Sequence, residues 1–162
     1  MRTRQPATTL DNQPMPVRAK LAAAWTSFMF LYAYVDILNF YTPGTITDIL
    51  DGRVFEFSLS QTFSTSALIL MAIPILMIAL SVLLPARVSR MANLVVAALY
   101  VPVTVFNLAS ETWIFFYGLG VGLELVLLAL ILRYAWTWPR TAMSATPGTR
   151  LAGESVSAQD HA

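Results

Sequence analysis

Four long apolar runs alternate with polar or turn-rich segments along the chain. They cover residues 21–41, 63–84, 91–109 and 113–132. Each run has about 19–22 residues, which is enough to cross a hydrocarbon layer of ~30 Å at a helical rise of about 1.5 Å per residue. Because lipid offers the backbone no hydrogen bonds, each run is predicted to be a membrane-spanning α-helix.

The segments between and beyond the runs predict the organisation of the chain. The connections at residues 85–90 and 110–112 are short, so the helices they join are expected to be antiparallel neighbours. Residues 1–17 and 139–162 lack apolar periodicity and are predicted to be disordered tails. The transmembrane domain is therefore expected to cover residues 18–138.

The first connection, residues 42–62, is longer than the others. Thr42 and Pro43 are typical of the start of a helix, and Gly52 is typical of a residue that follows a helix end. A short helix in the membrane interface is expected here, with an apolar face formed by Ile46, Ile49 and Leu50. This loop is either a packed connector or a lid over the bundle.

The basic residues predict the orientation of the chain. Nine of the ten Lys and Arg residues precede the first run, follow the fourth, or lie between the second and third, and only Arg53 lies in the long loop. An excess of Lys and Arg marks the cytoplasmic side of a membrane, so both termini are predicted to be cytoplasmic, in a plasma membrane. The predicted fold class is all-α, a transmembrane four-helix bundle with left-handed antiparallel packing.

Composition excludes several classes of function. Only 12% of residues are charged and 57% are hydrophobic, whereas soluble domains carry about 25% charged residues. The net charge of +1 argues against nucleic acid as a partner. The chain has no cysteine and one histidine, His161 in the C-terminal tail, so no cofactor and no metal site are expected. The expected partners are the lipid bilayer and a second copy of the chain or another membrane protein.

Polar residues recur in three of the runs at alternating spacings of four and three. Such a spacing marks the face that meets neighbouring helices, so these residues are expected to point into the bundle. The second run offers only Ser66 and Ser81 on a comparable face and is expected to be the most lipid-exposed. The predicted inward faces are Trp25, Met29, Tyr32, Asp36 and Asn39 in the first run; Asn93, Ala97, Tyr100, Thr104 and Asn107 in the third; and Trp113, Tyr117, Gly120 and Glu124 in the fourth.

Two acids, Asp36 and Glu124, lie inside the runs, and no run contains Lys, Arg or His. Ionisable residues inside membranes indicate a functional site by default, although polar networks also hold bundles together. These acids are predicted to be protonated and hydrogen-bonded, hydrated in a cavity, or able to bind a proton, a metal ion or an organic cation. The candidate binding residues are Asp36, Glu124, Tyr32, Asn39, Tyr100, Thr104, Asn107 and Tyr117.

Three glycines, Gly118, Gly120 and Gly122, precede Glu124. A phosphate-binding loop needs a strand before it and a helix after it, and neither context exists inside an apolar run. Gly118 and Gly122 instead form a pair of small residues that is expected to permit close helix packing.

Three hypotheses of function follow from the residues. The first is a binding or transport module for a proton, a cation or a small polar or cationic molecule, using buried Asp36 and Glu124. The second is a structural or partner-binding membrane subunit whose polar face only stabilises the bundle. The third and weakest is an enzyme acting on a lipid or quinone, since no His or Lys in the runs can activate a nucleophile.

Several short motifs lie along the chain: residues 31–38 and 42–44, Pro74, Arg90 with Asn93, Glu124, and residues 134–136. Together they resemble a family of small four-span bacterial membrane proteins that is catalogued as a domain of unknown function. The resemblance extends over about residues 18–138. It implies a four-helix bundle in a bacterial plasma membrane and implies no activity.

Overall fold

The computed structural model describes residues 14–54, 57–108 and 113–139, and four long helices dominate it. Helix α1 spans Val17–Asn39, α3 spans Gln61–Leu83, α4 spans Ala86–Phe106 and α5 spans Ile114–Trp136. All four are long and apolar enough to cross a membrane. The four apolar runs therefore predict the membrane helices correctly, and the protein is treated below as a multi-pass membrane protein.

The helix ends differ from the ends of the apolar runs. Helix α1 begins at Val17 rather than at residue 21, and α5 continues to Trp136 rather than ending at residue 132. Basic and aromatic residues occupy these extra turns, and such residues suit the headgroup region while keeping helical hydrogen bonds. Hydropathy marks the part of a helix that lies in hydrocarbon, which is shorter than the helix itself.

Hydrogen bonds between helices fix an antiparallel arrangement. Each of α1 and α4 packs against both α3 and α5, so the four helices form a closed ring. In every contacting pair, the start of one helix meets the end of its neighbour. The pairs are Arg18 Nη1 with Val82 O (3.0 Å), Ser81 Oγ with Asn93 Oδ1 (3.1 Å), Arg90 Nε with Ala135 O (3.1 Å) and Tyr117 with Asn39.

The two ends of the bundle carry opposite charge. The end formed by the start of α1, the α3–α4 turn and the end of α5 carries no acid within the described residues. We call it the basic end, and it holds Arg18, Lys20, Arg87, Arg90 and Arg133. The opposite end, the acidic end, carries Asp48 and Asp51, whose carboxylates lie 3.6 and 3.8 Å from the Arg53 guanidinium.

The loop at the acidic end contains a short helix and a small hairpin. Helix α2 spans Thr45–Leu50, and strands β1 (Arg53–Val54) and β2 (Phe57–Ser58) pair antiparallel. The predicted helix start at Thr42 and Pro43 is wrong, because Gly44 caps α2 with a φ of 94°, a conformation that glycine adopts without strain. Gly52, with a φ of 77°, follows the helix as predicted.

The apolar side chains of α2 do not pack into the bundle. No residue of α2 is buried, and Leu50 is 81% exposed. Ile46, on the same helix, is also exposed. This arrangement suits a helix that lies at the membrane surface.

Among the membrane helices, α3 contributes least to the interior. Its buried residues are Pro74, Met77 and Ser81, fewer than those of α1, α4 or α5. This agrees with the prediction that the second run is the most lipid-exposed. The prediction for Ser66 is wrong, because that side chain is exposed, whereas Ser81 is fully buried.

Candidate functional site

The polar face predicted for α4 is the face that the structure buries. Asn93, Ala97, Tyr100 and Thr104 are buried, and Asn107 at the end of the helix is half-buried. The polar side chains of α4 therefore line the centre of the bundle, away from lipid, which offers no hydrogen-bond partners.

The polar face of α5 is also buried, except at its start. Tyr117, Gly120 and Glu124 are buried. Trp113 is 50% exposed and stands at the N-cap of the helix, so its predicted inward position is wrong. At the end of a span an aromatic side chain is stable in the membrane interface and gains nothing from turning inward.

The inward face predicted for α1 is only partly correct. Trp25 is buried, but Phe28 rather than Met29 is the next fully buried residue, and Val35 rather than Asp36 faces α5. Counting from Trp25, inward-facing residues can recur after three and then four positions, or after four and then three, and both spacings are compatible with a helix interface. Helix α1 follows the first spacing, so Asp36 lies on the adjacent, exposed face. Of the two acids predicted to be buried, only Glu124 is buried.

Glu124 is the buried carboxyl group of the bundle. It lies near the middle of α5, and the residue is 3% exposed. The Thr104 hydroxyl of α4 lies beside the carboxyl. Thr104 Oγ1 and Glu124 Oε2 are both buried, and neither makes a hydrogen bond of standard geometry, although the hydroxyl interacts with the carboxyl. Two facing helices thus place a hydroxyl donor beside a buried carboxyl group whose second oxygen has spare hydrogen-bonding capacity.

Tyr32 of α1 links this carboxyl to the helix ends. Its hydroxyl accepts a hydrogen bond of 2.9 Å from Asn107 Nδ2, and Tyr32 interacts electrostatically with both Glu124 and Asp36. Val35 packs against Gly120. Asp36 follows Val35 toward the acidic end, and Glu124 lies one turn beyond Gly120 toward the basic end, so the two acids are about five residues, or roughly 7.5 Å, apart along the bundle axis.

A second group of polar side chains lies further toward the acidic end. The Tyr117 hydroxyl donates to Asn39 Oδ1, and Thr45 Oγ1 lies 3.5 Å from the same oxygen. These contacts join α5, α1 and α2. Together with Tyr32 and Asn107 they continue the line of polar groups from Glu124 to the loop.

Tyr100 is the one predicted site residue that turns away from Glu124. Its hydroxyl donates to the Leu70 carbonyl of α3, and its ring meets those of Trp25 and Phe28 edge-on, with centroids 6.3 and 6.1 Å away. This aromatic layer separates the carboxyl region from the basic half of the bundle.

Beyond the aromatic layer lies a polar cluster in which the sequence predicts three inward-facing members and misses the fourth, Ser89. Asn93 Oδ1 accepts from the Trp25 indole at 2.7 Å, and Asn93 Nδ2 donates to the Ser89 carbonyl at 2.8 Å. The single proton of Ser81 Oγ is shared between the Met77 carbonyl at 2.6 Å and Asn93 Oδ1 at 3.1 Å. Ser89 Oγ donates to the Ser81 carbonyl at 3.1 Å. We call Trp25, Ser81, Ser89 and Asn93 the paired cluster, since no member has a buried polar side-chain atom without a partner.

The glycine that permits close helix packing is Gly120. A Cβ built on Gly120 would lie 3.0 Å from Val35 Cγ2, whereas one built on Gly118 or Gly122 would meet nothing within 4 Å. The predicted packing role of the Gly118 and Gly122 pair is therefore wrong within this chain. Gly120 faces α1 one turn from Glu124, so the packing of α1 on α5 protects the carboxyl on that side.

The oxygen atoms around Glu124 suit a small, singly charged ligand. Glu124, Thr104 and Tyr32 supply one carboxyl and two hydroxyl groups. Ca²⁺ takes six to eight oxygen ligands, and Mg²⁺ demands six in octahedral geometry, so three groups fall short of either set, whereas one carboxyl group is sufficient to hold a proton. No Lys or Arg lies in the same half of the described spans to neutralise the carboxylate.

Comparisons with known proteins identify a family but no described relative. No curated protein and no solved structure matches the chain. Residues 16–145 match the model of a family of unknown function, DUF6326, and this range includes all five helices and both membrane acids. The family expected from the sequence motifs is thus confirmed as one without an assigned activity, and the chain belongs to the family of unknown function DUF6326.

Proposed function

We propose that this protein is a membrane binding or transport module in which Glu124 reversibly holds a proton or a small cation. The observation that carries the proposal is the buried carboxyl of Glu124, whose Oε2 makes no hydrogen bond of standard geometry and which lies beside the Thr104 hydroxyl. An uncompensated charge at this depth costs several kcal/mol on insertion scales. A bound proton or cation removes that cost, so the site favours a ligand of positive charge.

The polar groups toward the acidic end supply a route to the site. Tyr32, which interacts electrostatically with Glu124, forms a hydrogen-bonded pair with Asn107, and Tyr117 with Asn39 forms another about two turns further along α1. Asp36 is exposed on α1 at the level between them. We assign Asp36 the role of attracting the cation and Glu124 the role of binding it. By the positive-inside rule the basic end is cytoplasmic, and the cation enters from the opposite side of a plasma membrane.

A second candidate function is a structural or partner-binding subunit. The paired cluster favours it, because fully satisfied polar networks stabilise membrane bundles. The low exposure of Glu124 also favours it, since a cavity that touches the carboxyl would expose more of the side chain. In that case the protein binds no cation, and the Glu124 carboxyl group is a buried group that stays neutral.

Thermal unfolding in detergent separates the two functions. Wild type, Glu124→Gln and Asp36→Asn are compared over a range of pH below 9, with and without methylammonium as a small organic cation. Acetamide, a neutral molecule of similar size, controls for binding that needs no positive charge. The proposal predicts that pH or methylammonium shifts the Tm of wild type, and that Glu124→Gln abolishes that shift.

The Asp36→Asn variant is the matched control, because it also neutralises an acid but lies on the exposed face. It is expected to retain the shift, with a weaker response to the organic cation. If Glu124→Gln responds to pH and to the cation as wild type does, the proposal is wrong and the structural role is favoured. If no variant responds to either, the same conclusion follows.

A further inference from the structure

An apolar groove lies between α4 and α5 near the basic end of the bundle. Its volume is about 530 Å³, within the ~300–1,000 Å³ of typical small-molecule sites. Leu94 and Ala98 lie one turn apart on α4, and Leu132 faces them from α5. The groove faces away from the interior, toward the surrounding lipid. Its lining is Leu94, Ala98, Leu132, Arg133, Trp136 and Thr137.

Two arginines stand where the groove reaches the basic end. Arg133 lines it directly, and its guanidinium has no partner within the described residues. Arg90 lies four residues before Leu94 and thus on the same face of α4. Its Nε donates to the Ala135 carbonyl at 3.1 Å, which holds the side chain across the gap between the helices while its terminal amino groups have no described partner.

No acid among the described residues compensates the positive charge where the groove reaches the basic end. The described basic end carries five basic residues and no acid, and none of the five makes an ion pair with a described acid, since both ion pairs involve Arg53. Trp136 is 71% exposed at the rim, at the depth where aromatic side chains meet lipid headgroups. An apolar groove that ends near the Arg133 guanidinium and the terminal amino groups of Arg90 matches a molecule with an acyl chain and an anionic head.

We propose that this groove is a binding site for one anionic phospholipid. Its acyl chain lies between α4 and α5 against Leu94, Ala98 and Leu132. Its phosphate accepts hydrogen bonds from Arg133 and Arg90, because guanidinium groups recognise phosphate by paired, charge-assisted hydrogen bonds. Basic pockets between membrane helices are known to bind anionic headgroups on the cytoplasmic side. The lipid ties α4 to α5 at the end opposite the Glu124 route.

Native mass spectrometry of the full chain in detergent tests the site. Phosphatidylglycerol and phosphatidylcholine with identical acyl chains are titrated, and bound lipids are counted. Wild type is expected to retain one phosphatidylglycerol in preference to phosphatidylcholine. Arg133→Gln is expected to weaken that binding by about tenfold, since a hydrogen bond to a charged group is lost. Arg18→Gln removes a basic residue from the same end but from the α1–α3 side, and is expected to bind as wild type does.

A second variant tests the acyl part of the groove without changing charge. Ala98→Phe fills the channel and is expected to reduce phosphatidylglycerol binding, while Arg133 and Arg90 remain. Inorganic phosphate, added alone, is expected neither to bind nor to displace the lipid, which separates a phospholipid site from a simple anion site.

Three results would overturn the proposal. Equal retention of the two lipids would show that headgroup charge plays no part. Equal loss of binding in Arg18→Gln and Arg133→Gln would show attraction by the whole basic end rather than by this groove. A change from dimer to monomer in Ala98→Phe, with no lipid retained by wild type, would show that a second copy of the chain covers the groove.

Discussion

Two polar clusters lie in the same bundle, and they differ in how well their atoms are paired. In the paired cluster, Asn93 joins α1, α3 and α4 through Trp25 and Ser81. On the other side of the aromatic layer, Thr104 Oγ1 and Glu124 Oε2 are buried without a hydrogen bond of standard geometry. Both clusters are buried and include α4, but the paired cluster joins α1, α3 and α4, whereas Thr104 and Glu124 face each other from α4 and α5.

The comparison separates a polar group that stabilises the fold from one that is available for binding. A buried polar group with all its hydrogen bonds contributes to stability, whereas one without them costs free energy. Native structures retain such unpaired groups in small numbers, and each requires an explanation. Binding of a proton or a cation at Glu124 is the explanation we propose, and mutations in the two clusters should have opposite consequences.

The largest effect is expected from Asn93→Leu. This change removes the acceptor of the Trp25 indole and leaves a buried N–H group unpaired, so the free energy of unfolding should fall by about 2–3 kcal/mol. Denaturation in mixed detergent micelles measures it. Val95→Leu, on the exposed face of the same helix, should change stability by less than about 0.5 kcal/mol. Equal loss in the two variants would mean that the cluster does not stabilise the bundle.

A smaller effect is expected where α1 packs beside the carboxyl. Gly120→Ala forces Val35 to shift and should lower the free energy of unfolding by about 1 kcal/mol. Gly118→Ala has open space around it and should raise that free energy by about 0.5 kcal/mol, because alanine favours helix. The same denaturation assay compares them. A result of the same sign for both glycines would contradict the close contact between α1 and α5.

The smallest effects distinguish the hydroxyl groups of the two clusters. Ser81→Ala removes a hydroxyl that bonds Asn93 and should cost about 1 kcal/mol of unfolding free energy. Thr104→Val replaces an unpaired buried hydroxyl with a methyl group of similar shape, and it should be neutral or stabilising by up to ~0.5 kcal/mol. If Thr104→Val costs as much as Ser81→Ala, the Thr104 hydroxyl is already paired and the comparison fails.

The sequence predicted the four membrane helices well because hydropathy is averaged over many residues, and because any apolar segment in lipid must form its backbone hydrogen bonds within itself. It also predicted the inward faces of α4 and α5 for Asn93, Ala97, Tyr100, Thr104, Tyr117, Gly120 and Glu124, because most of the polar residues on those helices share one face. On α1 the same rule placed Asp36 inward and was wrong, because a carboxyl near a helix end can reach water without entering the interior.

The sequence could not predict which side chains form hydrogen bonds between helices. The hydrogen bond from Trp25 to Asn93 joins residues 68 positions apart, and its formation depends on helix rotation and side-chain rotamers that no local pattern encodes. Ser89 was missed for the same reason. The predicted disordered tails, residues 1–17 and 139–162, lie largely outside the described residues. The predicted connection at residues 110–112 lies outside them as well.

Infrared spectroscopy of the carboxyl group during a pH titration tests the central claim most directly. Wild type, Glu124→Gln and Asp36→Asn are compared in lipid, and the carbonyl band of a protonated carboxyl group is followed. We predict a band that disappears and returns reversibly with pH in wild type and in Asp36→Asn, and that is absent in Glu124→Gln. Reversible proton binding at Glu124 would be contradicted if wild type shows no pH-dependent carboxyl band, or if Glu124→Gln retains the same band.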